Sequence, residues 1–254
     1  MQTDSLSGEG RKTSQEYWDE QRRGSLRLRF PPGLMVSTRN IRNILRKRVG
    51  PGMSFLEVGF APGVHLSWVA QALGVNVAGV DFAENGVLQA RRLFARLGLK
   101  ADLRHEDFFN TSFPAGTFDV VYSAGFIEHF DDPAVVVRAH VNLAKPGGRI
   151  IILIPHYGGI YGRVQEYFHP ENLLLHNITI MHRQRLLELA PADLVSEAET
   201  SEVGKLCGDH IGFSQKLPAS IAKAIGLGLN CVGLAQPAEV RPLCPMLLLE
   251  MIRR

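Results

Sequence analysis

The feature that most constrains the fold is a glycine-containing turn that directly follows a short apolar run. Residues 55–63 read Phe-Leu-Glu-Val-Gly-Phe-Ala-Pro-Gly, and a second apolar run over 75–80 leads into Asp81. A buried strand, a tight turn, a helix and a second strand that ends in a carboxylate form half of a nucleotide-binding α/β sheet. The spacing therefore predicts a nucleotide site at this turn, with the Asp81 carboxylate accepting hydrogen bonds from ribose hydroxyls.

Strands and helices alternate along the middle of the chain. Alternation of this length predicts a parallel sheet with helices on both faces, whose strand C-termini meet at one ligand-binding edge. The predicted strands are 53–58, 76–81, 101–106, 118–123 and 149–155, with helices near 63–73, 84–97 and 133–144. Beyond them the sequence predicts a helix near 183–190, a strand near 194–200, helical or irregular structure over 208–240 and a last strand at 246–252.

Three later segments follow the glycine turn in a recognisable order. They are Asp107-Phe108, Ile127-Glu-His-Phe130 and the Leu-Ala-Lys-Pro-Gly-Gly-Arg-Ile stretch of residues 143–150. Together with the turn, they resemble the ordered motifs of class I S-adenosylmethionine-dependent methyltransferases, in the branch that includes the ubiquinone and menaquinone biosynthesis enzymes. Ala61 stands where that family has the central glycine of its first motif. The resemblance spans residues 53–155 and implies a seven-stranded, mostly parallel, Rossmann-like sheet with a final antiparallel strand.

The resemblance implies that S-adenosylmethionine is the cofactor. It assigns Glu57 to the loop that holds the methionine portion, Asp81 to the ribose, and Asp107 to the adenine amine. Each acid also has a plain structural alternative, as a strand-end cap, a helix N-cap or a turn residue respectively. Tyr17 or Trp18 closes over the cofactor or serves only as a core anchor. The residues expected at the cofactor are Tyr17, Glu57, Gly59, Phe60, Ala61, Gly63, Asp81, Phe82, Asp107, Phe108, Ser123, Ala124 and Gly125.

Two histidines are the candidate catalytic residues. Methyl transfer to oxygen often needs a base whose pKa is near neutral, which histidine supplies. His129 and His156 follow the fourth and fifth predicted strands at the ligand edge, although His129 could also be a purely structural cap. In the ubiquinone branch, the Glu and His of this signature hold a divalent metal with a Glu three residues earlier. Because Gly125 occupies that earlier position here, no metal is expected at Glu128 and His129.

Length and charge predict how the chain is organised. Its 254 residues, 45% of them apolar, suffice for one well-filled α/β domain. We expect a disordered tail over 1–13, a helical cap over 14–50, a cofactor-binding core over 51–155, and substrate-lid insertions with the last two strands over 156–254. The net charge of +3 arises at the N-terminus, where basic residues near 39–48 form a solvated helix face or, less favoured, an anion-binding patch.

The cysteines and apolar stretches indicate the compartment. Cys207, Cys231 and Cys244 are widely spaced and odd in number, which suits a reducing compartment and argues against a zinc or disulfide framework. No signal peptide is apparent, and the apolar stretch at 221–235 is too short to span a bilayer. The expectation is therefore a cytoplasmic monomer or homodimer that makes no use of a membrane.

Three functions compete at this stage. The leading one is methylation, at oxygen or nitrogen, of a small aromatic or heterocyclic metabolite that is gripped by the aromatic- and histidine-rich segment 156–182. The alternative is an RNA methyltransferase, suggested by Ala-Pro-Gly in the turn and by the basic N-terminus. Nucleic acid is disfavoured because no Asn-Pro-Pro-Tyr follows the fourth strand and the pI is only about 8.8. The third, an inactive cofactor-binding subunit, fits the intact Glu57 and Asp81 less well.

Overall fold

A seven-stranded sheet with the order β3-β2-β1-β4-β5-β7-β6 organises the computed structural model. The structure describes residues 10–24 and 34–254. The strands are β1 Ser54–Val58, β2 Asn76–Asp81, β3 Asp102–His105, β4 Phe118–Ala124, β5 Ala144–Pro155, β6 Val195–Val203 and β7 Met246–Arg253. The helices are α1 Gln15–Gln21, α2 Val36–Arg46, α3 Val64–Leu73, α4 Glu84–Leu97, α5 Pro133–Leu143, α6 Ile160–Phe168, α7 Pro170–Leu174, α8 Arg183–Leu187 and α9 Ala219–Ala235.

Strand direction and order place a ligand edge at the middle of the sheet. The strands from β1 to β5 pair in parallel, whereas β7 runs antiparallel to both β5 and β6. Val58 pairs with Val80 of β2 and Ser123 of β4, so three strand ends finish level. The chain order reverses at β1, and such a switch point opens a crevice at the carboxyl ends of the strands. The predicted fold, with its final antiparallel strand, is confirmed.

The central strands are buried on both faces, as a parallel sheet covered by helices requires. Leu56 and Val121 pack into one apolar cluster, while Phe55, Val120 and Tyr122 pack into the other. Each side chain is at most 1% exposed. Burying an aliphatic or aromatic side chain of this size contributes about 1.5–3 kcal/mol. The strands that end at the crevice are therefore its rigid support.

One glycine allows the first two helices of the sheet to approach closely. Gly63 precedes α3 with φ of 85°, in the left-handed region that favours glycine. A Cβ placed there would lie 2.8 Å from the Cβ of Ala90 in α4. The conformation and the helix contact thus both require the missing side chain.

The N-terminal region is ordered further than predicted. Residues 1–9 of the expected tail lie outside the described residues, whereas residues 10–13 are described and make backbone hydrogen bonds. The backbone N–H of Lys12 donates to the carbonyl of His129 at 2.8 Å, and the N–H of Asp131 donates to the carbonyl of Gly10 at 2.7 Å. In the helical cap expected over 14–50, the first helix ends at Gln21, and residues 25–33 lie outside the described part of the chain.

The region after β5 forms a second layer over the crevice. Here α6 and α9 pack around a small apolar cluster that includes Tyr161, Ile211 and Phe213. The buried amide of Asn230 in α9 donates to the carbonyl of Leu34 at 2.8 Å and accepts from the N–H of Gly208. The segment predicted as helical or irregular therefore contains a 17-residue helix that is tied to the N-terminal region. None of the described helices is both long and apolar enough to cross a bilayer.

The basic residues of α2 have partners within the chain. The guanidinium groups of Arg42 and Arg46 lie 5.3 Å and 5.1 Å from the Trp68 ring centroid. Arg48, just beyond the helix, pairs with Glu250 of β7 at 2.7 Å. These contacts support the structural interpretation of the charge run over an anion-binding patch.

Candidate active site

A cavity of about 490 Å³ opens at the carboxyl ends of the central strands. Its walls come from the ends of β1, β2, β4 and β5, from residues 11–22, from α2, and from the segments around 176 and 210. The volume lies within the range typical of small-molecule sites. Most of the predicted cofactor residues line it: Glu57, Gly59, Phe60, Ala61, Asp81, Phe82, Phe108, Ala124 and Gly125.

Two acids at one end of the cavity need hydrogen-bond donors that the fold supplies only in part. Glu57 is 4% exposed, and its Oε2 has no hydrogen-bond partner in the described residues. Burial raises the pKa of the Glu57 carboxyl well above its usual range, and Asp81 raises it further. Asp81 accepts one N–H on each oxygen, from Ala61 at 2.9 Å and from Ala83 at 2.8 Å. Lone pairs remain on both acids for hydroxyl or ammonium groups of a ligand.

The glycine turn brings the backbone close to this end of the cavity. Gly59 has φ of 69°, and a Cβ there would lie 2.8 Å from the Phe126 ring. Phe60 and Ala61 line the cavity beside it. Gly63 does not line the cavity, so this predicted cofactor residue has the packing role described for α3 and α4.

The predicted adenine end is bounded by an arginine that sequence reasoning missed. Phe82 and Phe108 line the cavity, but Asp107 does not. The guanidinium of Arg11 donates to the Asp107 carboxylate at 2.5 Å and lies 4.8 Å from the Phe82 ring centroid. Asp107 also accepts the N–H of Phe109 at 3.0 Å, so its carboxylate is already engaged within the chain.

Three other predicted residues lie outside the cavity wall. Tyr17 does not line it, whereas its neighbour Trp18 does. Ser123 is fully buried behind the strand end. His156 turns away from the cavity, with its Nδ1 3.2 Å from the carbonyl of Cys244 and its backbone N–H donating to Pro245. This position does not support the predicted catalytic role of His156, because β5 ends with the side chain beside the start of β7.

His129 is buried at the other end of the cavity with its ring orientation fixed. Its Nδ1 lies 2.8 Å from the carbonyl oxygen of Leu175. Because a carbonyl can only accept, Nδ1 carries the proton and Nε2 keeps a lone pair. Burial lowers the pKa of His129 to about 4, and His176 lowers it further, so the neutral ring predominates at neutral pH. The Trp18 ring meets this imidazole edge-on, 5.3 Å between centroids.

Glu128 and His176 complete a cluster around His129. Glu128 is fully buried, and neither carboxylate oxygen makes a hydrogen bond within the described residues. Burial raises the pKa of Glu128 to about 8. One ligand atom from each of the three side chains lies within 4.8 Å of the others. The expectation that no metal binds rested on Gly125, and His176 supplies a third donor that the motif does not contain.

Several cavity residues carried no usable sequence signal. Met35, Thr38 and Ile41 come from α2, and His65 follows the glycine turn. Arg22 also lines the cavity, where its charge lowers the pKa of Asp81 against the stronger effect of burial. Tyr157 and His176 lay in a segment marked by composition, the aromatic- and histidine-rich stretch after β5.

The comparisons with known proteins agree with this geometry. A protein-family model described as "Methyltransferase domain" matches residues 56–152, the region that holds the glycine turn, Asp81 and His129. The core of this chain is a class I S-adenosylmethionine-dependent methyltransferase domain. A phosphoethanolamine N-methyltransferase of Triticum aestivum is 31% identical over 172 residues, which cover 65% of this chain and 33% of the relative.

A second relative and a solved structure extend the comparison of the methyltransferase domain. A ubiquinone biosynthesis O-methyltransferase of Ruegeria pomeroyi is 33% identical over 139 residues, 52% of this chain and 56% of the relative. A Haemonchus contortus phosphoethanolamine N-methyltransferase, solved with phosphomonomethylethanolamine and S-adenosylhomocysteine, superposes with a TM-score of 0.58 and 17% identity, covering 85% and 52% of the two chains. This likeness shows the fold. The methyltransferase domain matches between a third and just over half of these two curated relatives.

Proposed function

We propose that this chain transfers a methyl group from S-adenosylmethionine to a small, flat, partly apolar metabolite at oxygen or nitrogen. The observation that carries the proposal is one cavity lined by Glu57 of β1, by Asp81 of β2 and by His129, which follows β4. When bound, S-adenosylmethionine supplies a methyl group on a sulfonium, which is already activated for displacement. The residues of this chain then have to bind, orient and exclude water.

The acids at the first end fit the polar groups of such a cofactor. Asp81 keeps lone pairs for ribose hydroxyls, and the unsatisfied Oε2 of Glu57 suits the ammonium of a methionine moiety. Arg11 and Phe82 would then form the border of the adenine end, with Arg11 between Asp107 and the cavity. In this arrangement, the predicted adenine contact of Asp107 is indirect.

The walls of the other end favour an apolar acceptor. Met35, Ile41, Tyr157 and Met246 line the cavity, together with His65 and His176. Within the described residues, the cavity-lining Lys and Arg are Arg11 and Arg22, whose charges lie beside Asp107 and Asp81. Among the described residues, a phosphate monoester, as in the names of the phosphoethanolamine relatives, would thus meet Lys or Arg only beside these two acids. A phenolic or heterocyclic hydroxyl, closer to the ubiquinone relatives, is the better match.

We infer that His129 receives the proton that an oxygen acceptor loses; because burial lowers the pKa of this ring to about 4, it would hold the proton only briefly as the methyl group is transferred. Its Nδ1 is committed to Leu175, which leaves the lone pair of Nε2 as the basic position. The structure thus favours His129 alone of the two predicted catalytic histidines. An amine acceptor that enters neutral would need no base.

The enclosure of the cavity also bears on the RNA alternative. Residues 11–22 and the segment around 176 both contribute to the wall of the described cavity, which favours a small acceptor over a polynucleotide. We further infer a monomer or homodimer in a reducing, cytoplasmic setting. Cys207 and Cys244 are buried free thiols and Cys231 is an exposed one.

The test is direct identification of the methylated product. Purified protein is incubated with metabolite extract, or with total RNA, and with S-adenosylmethionine that carries a ¹³C-methyl group. A labelled small aromatic or heterocyclic compound, absent when Asp81→Ala protein is used, would support the proposal. Label that appears only in RNA, or in no product despite cofactor binding, would contradict it.

A further inference from the structure

The side chains of Glu128, His129 and His176 converge at the acceptor end of the cavity. Glu128 comes from the turn after β4, His129 follows it, and His176 comes from the segment after α7. All three line the cavity, and one ligand atom from each lies within 4.8 Å of the others. A buried carboxyl with no hydrogen bond on either oxygen is costly unless a ligand or cation completes it.

Both imidazoles are held in the same tautomer. His129 donates its Nδ1–H to the carbonyl of Leu175 at 2.8 Å, and His176 donates its Nδ1–H to the carbonyl of Asn172 at 2.7 Å. In each ring the remaining lone pair is on Nε2. A backbone carbonyl that fixes Nδ1–H in this way is the usual support of a histidine that binds a metal through Nε2.

The two chain segments that carry these ligands are joined to each other by hydrogen bonds. The backbone N–H of Asn177 donates to the carbonyl of Glu128 at 2.6 Å, and its side-chain amide donates to the carbonyl of Phe130 at 3.2 Å. The His129–Leu175 bond is a third link between them. Trp18 and Tyr157 pack edge-on against the rings of His129 and His176 respectively. The metal-donor side chains are therefore held near one another by the surrounding structure.

We infer that Glu128, His129 and His176 bind one divalent first-row transition-metal ion, with its open coordination positions facing the acceptor end of the cavity. Two neutral imidazoles and one carboxylate suit ions such as Zn²⁺ or Fe²⁺, whereas Mg²⁺ prefers oxygen ligands in an octahedron. The inference rests on the proposed function for its consequence: with the ion on Nε2, His129 could no longer accept a proton, and the ion would instead lower the pKa of an acceptor hydroxyl that it holds. His176 thereby replaces, from a different part of the chain, the ligand that is missing at Gly125.

Metal binding requires a small contraction of the cluster. At bond lengths of about 2.0–2.2 Å, ligand atoms around one ion lie roughly 3–3.6 Å apart, so the donors have to move inward by about 1 Å. Rotation of the three side chains within the cavity can supply this inward movement of the donor atoms. The expected selectivity is consequently for ions that accept four- or five-coordinate geometry.

The test measures metal binding by the full-length protein, independently of turnover. Chelator-treated protein is titrated with Zn²⁺, Co²⁺ and Mg²⁺ by calorimetry, and metal retained after desalting is counted by mass spectrometry. We expect one Zn²⁺ or Co²⁺ per chain and Mg²⁺ binding weaker by on the order of 100-fold or more. Absence of stoichiometric Zn²⁺, or Mg²⁺ binding as tight as Zn²⁺, would overturn the inference.

Variants assign the ion to this cluster. His176→Ala and the isosteric Glu128→Gln should each weaken Zn²⁺ binding by at least about 10–100-fold, the range known for outer-shell partners alone. His156→Ala is the matched control, because this histidine lies outside the cavity, and its affinity for Zn²⁺ should equal that of the parent. Parental affinity in both cluster variants would refute the site. S-adenosylhomocysteine binding, measured on the same samples, tests the proposed function separately. If the parent protein does not bind S-adenosylhomocysteine, the proposed function is contradicted and the metal site is not.

Discussion

Arg11 and Asp107 are separated by 96 positions in the chain, yet their side chains form an ion pair of 2.5 Å at the edge of the cavity. The Arg11 guanidinium also faces the rings of Phe82, Phe109 and Phe130 at 4.8–5.7 Å. Through these contacts, residues 10–13 are held across the cofactor end of the crevice. Release of a bound nucleoside would require this segment to move.

Arg11→Ala should therefore speed the dissociation of S-adenosylhomocysteine. Loss of a part-buried ion pair and its aromatic contacts removes about 1–2 kcal/mol from the closed arrangement, or roughly a 5–30-fold rise in the dissociation rate. Stopped-flow measurement of ligand release would show it. Lys12→Ala is the matched control, because its partner Asp131 is 63% exposed and the pair contributes little. Slower release in Arg11→Ala would mean that Arg11 obstructs the site instead of closing it.

Asp81 should set both the affinity for the cofactor and its pH dependence. Asp81→Ala is expected to weaken cofactor binding by about 1.5–3 kcal/mol, the scale of hydrogen bonds to a charged group. Burial raises the pKa of Asp81, and only the ionised carboxylate accepts hydroxyls on both oxygens. Affinity should therefore be highest above this pKa and fall as the pH is lowered through it, earlier than for an ordinary aspartate.

Asp81→Asn separates this effect from damage to the turn. The amide keeps one acceptor oxygen for the backbone N–H of Ala61 or Ala83 but cannot titrate. Calorimetry across the pH range should then give a weaker, nearly pH-independent affinity. A profile parallel to that of the parent would assign the pH dependence to another group.

His129 should be needed for the chemical step but not for cofactor binding. His129→Ala is expected to lower single-turnover methyl transfer by about 10²–10⁴-fold, the range for a positioned acid or base, with S-adenosylhomocysteine affinity nearly unchanged. His156→Ala should retain parental rates, since that side chain faces Cys244 outside the cavity. Near-parental turnover in His129→Gln would show that the residue only orients the acceptor through a hydrogen bond.

Gly63 should be intolerant of any side chain because of helix packing as well as backbone conformation. Gly63→Ala would place a Cβ 2.8 Å from that of Ala90, in addition to the strain of φ at 85°. Gly98→Ala is the control: φ there is 65°, and a Cβ would meet nothing within 4 Å. Thermal or denaturant unfolding should show about 1 kcal/mol lost in the control and about 2–4 kcal/mol in Gly63→Ala. Equal losses of unfolding free energy in the two variants would mean that the backbone conformation alone, and not the contact with Ala90, makes Gly63 intolerant of a side chain.

The sequence by itself determined the sheet and the cofactor end of the site. These rest on local patterns: the apolar runs of buried parallel strands, the glycine turn after residue 58, and Asp81 at the end of β2. Parallel strands joined by right-handed crossovers must bring their carboxyl ends to one edge, so Glu57, Gly59 and Asp81 could be placed there without coordinates.

Only the tertiary structure decided what faces those residues across the cavity. The segments that carry Arg11 and His176 are held at the crevice by hydrogen bonds and an ion pair between residues 46 to 121 positions apart, and no local periodicity encodes such contacts. For the same reason, the sequence placed His129 and His156 alike at strand ends, whereas the fold directs His129 into the cavity and His156 toward β7. Which side of a strand end a residue faces depends on the segment packed against it, and that segment is chosen by long-range packing.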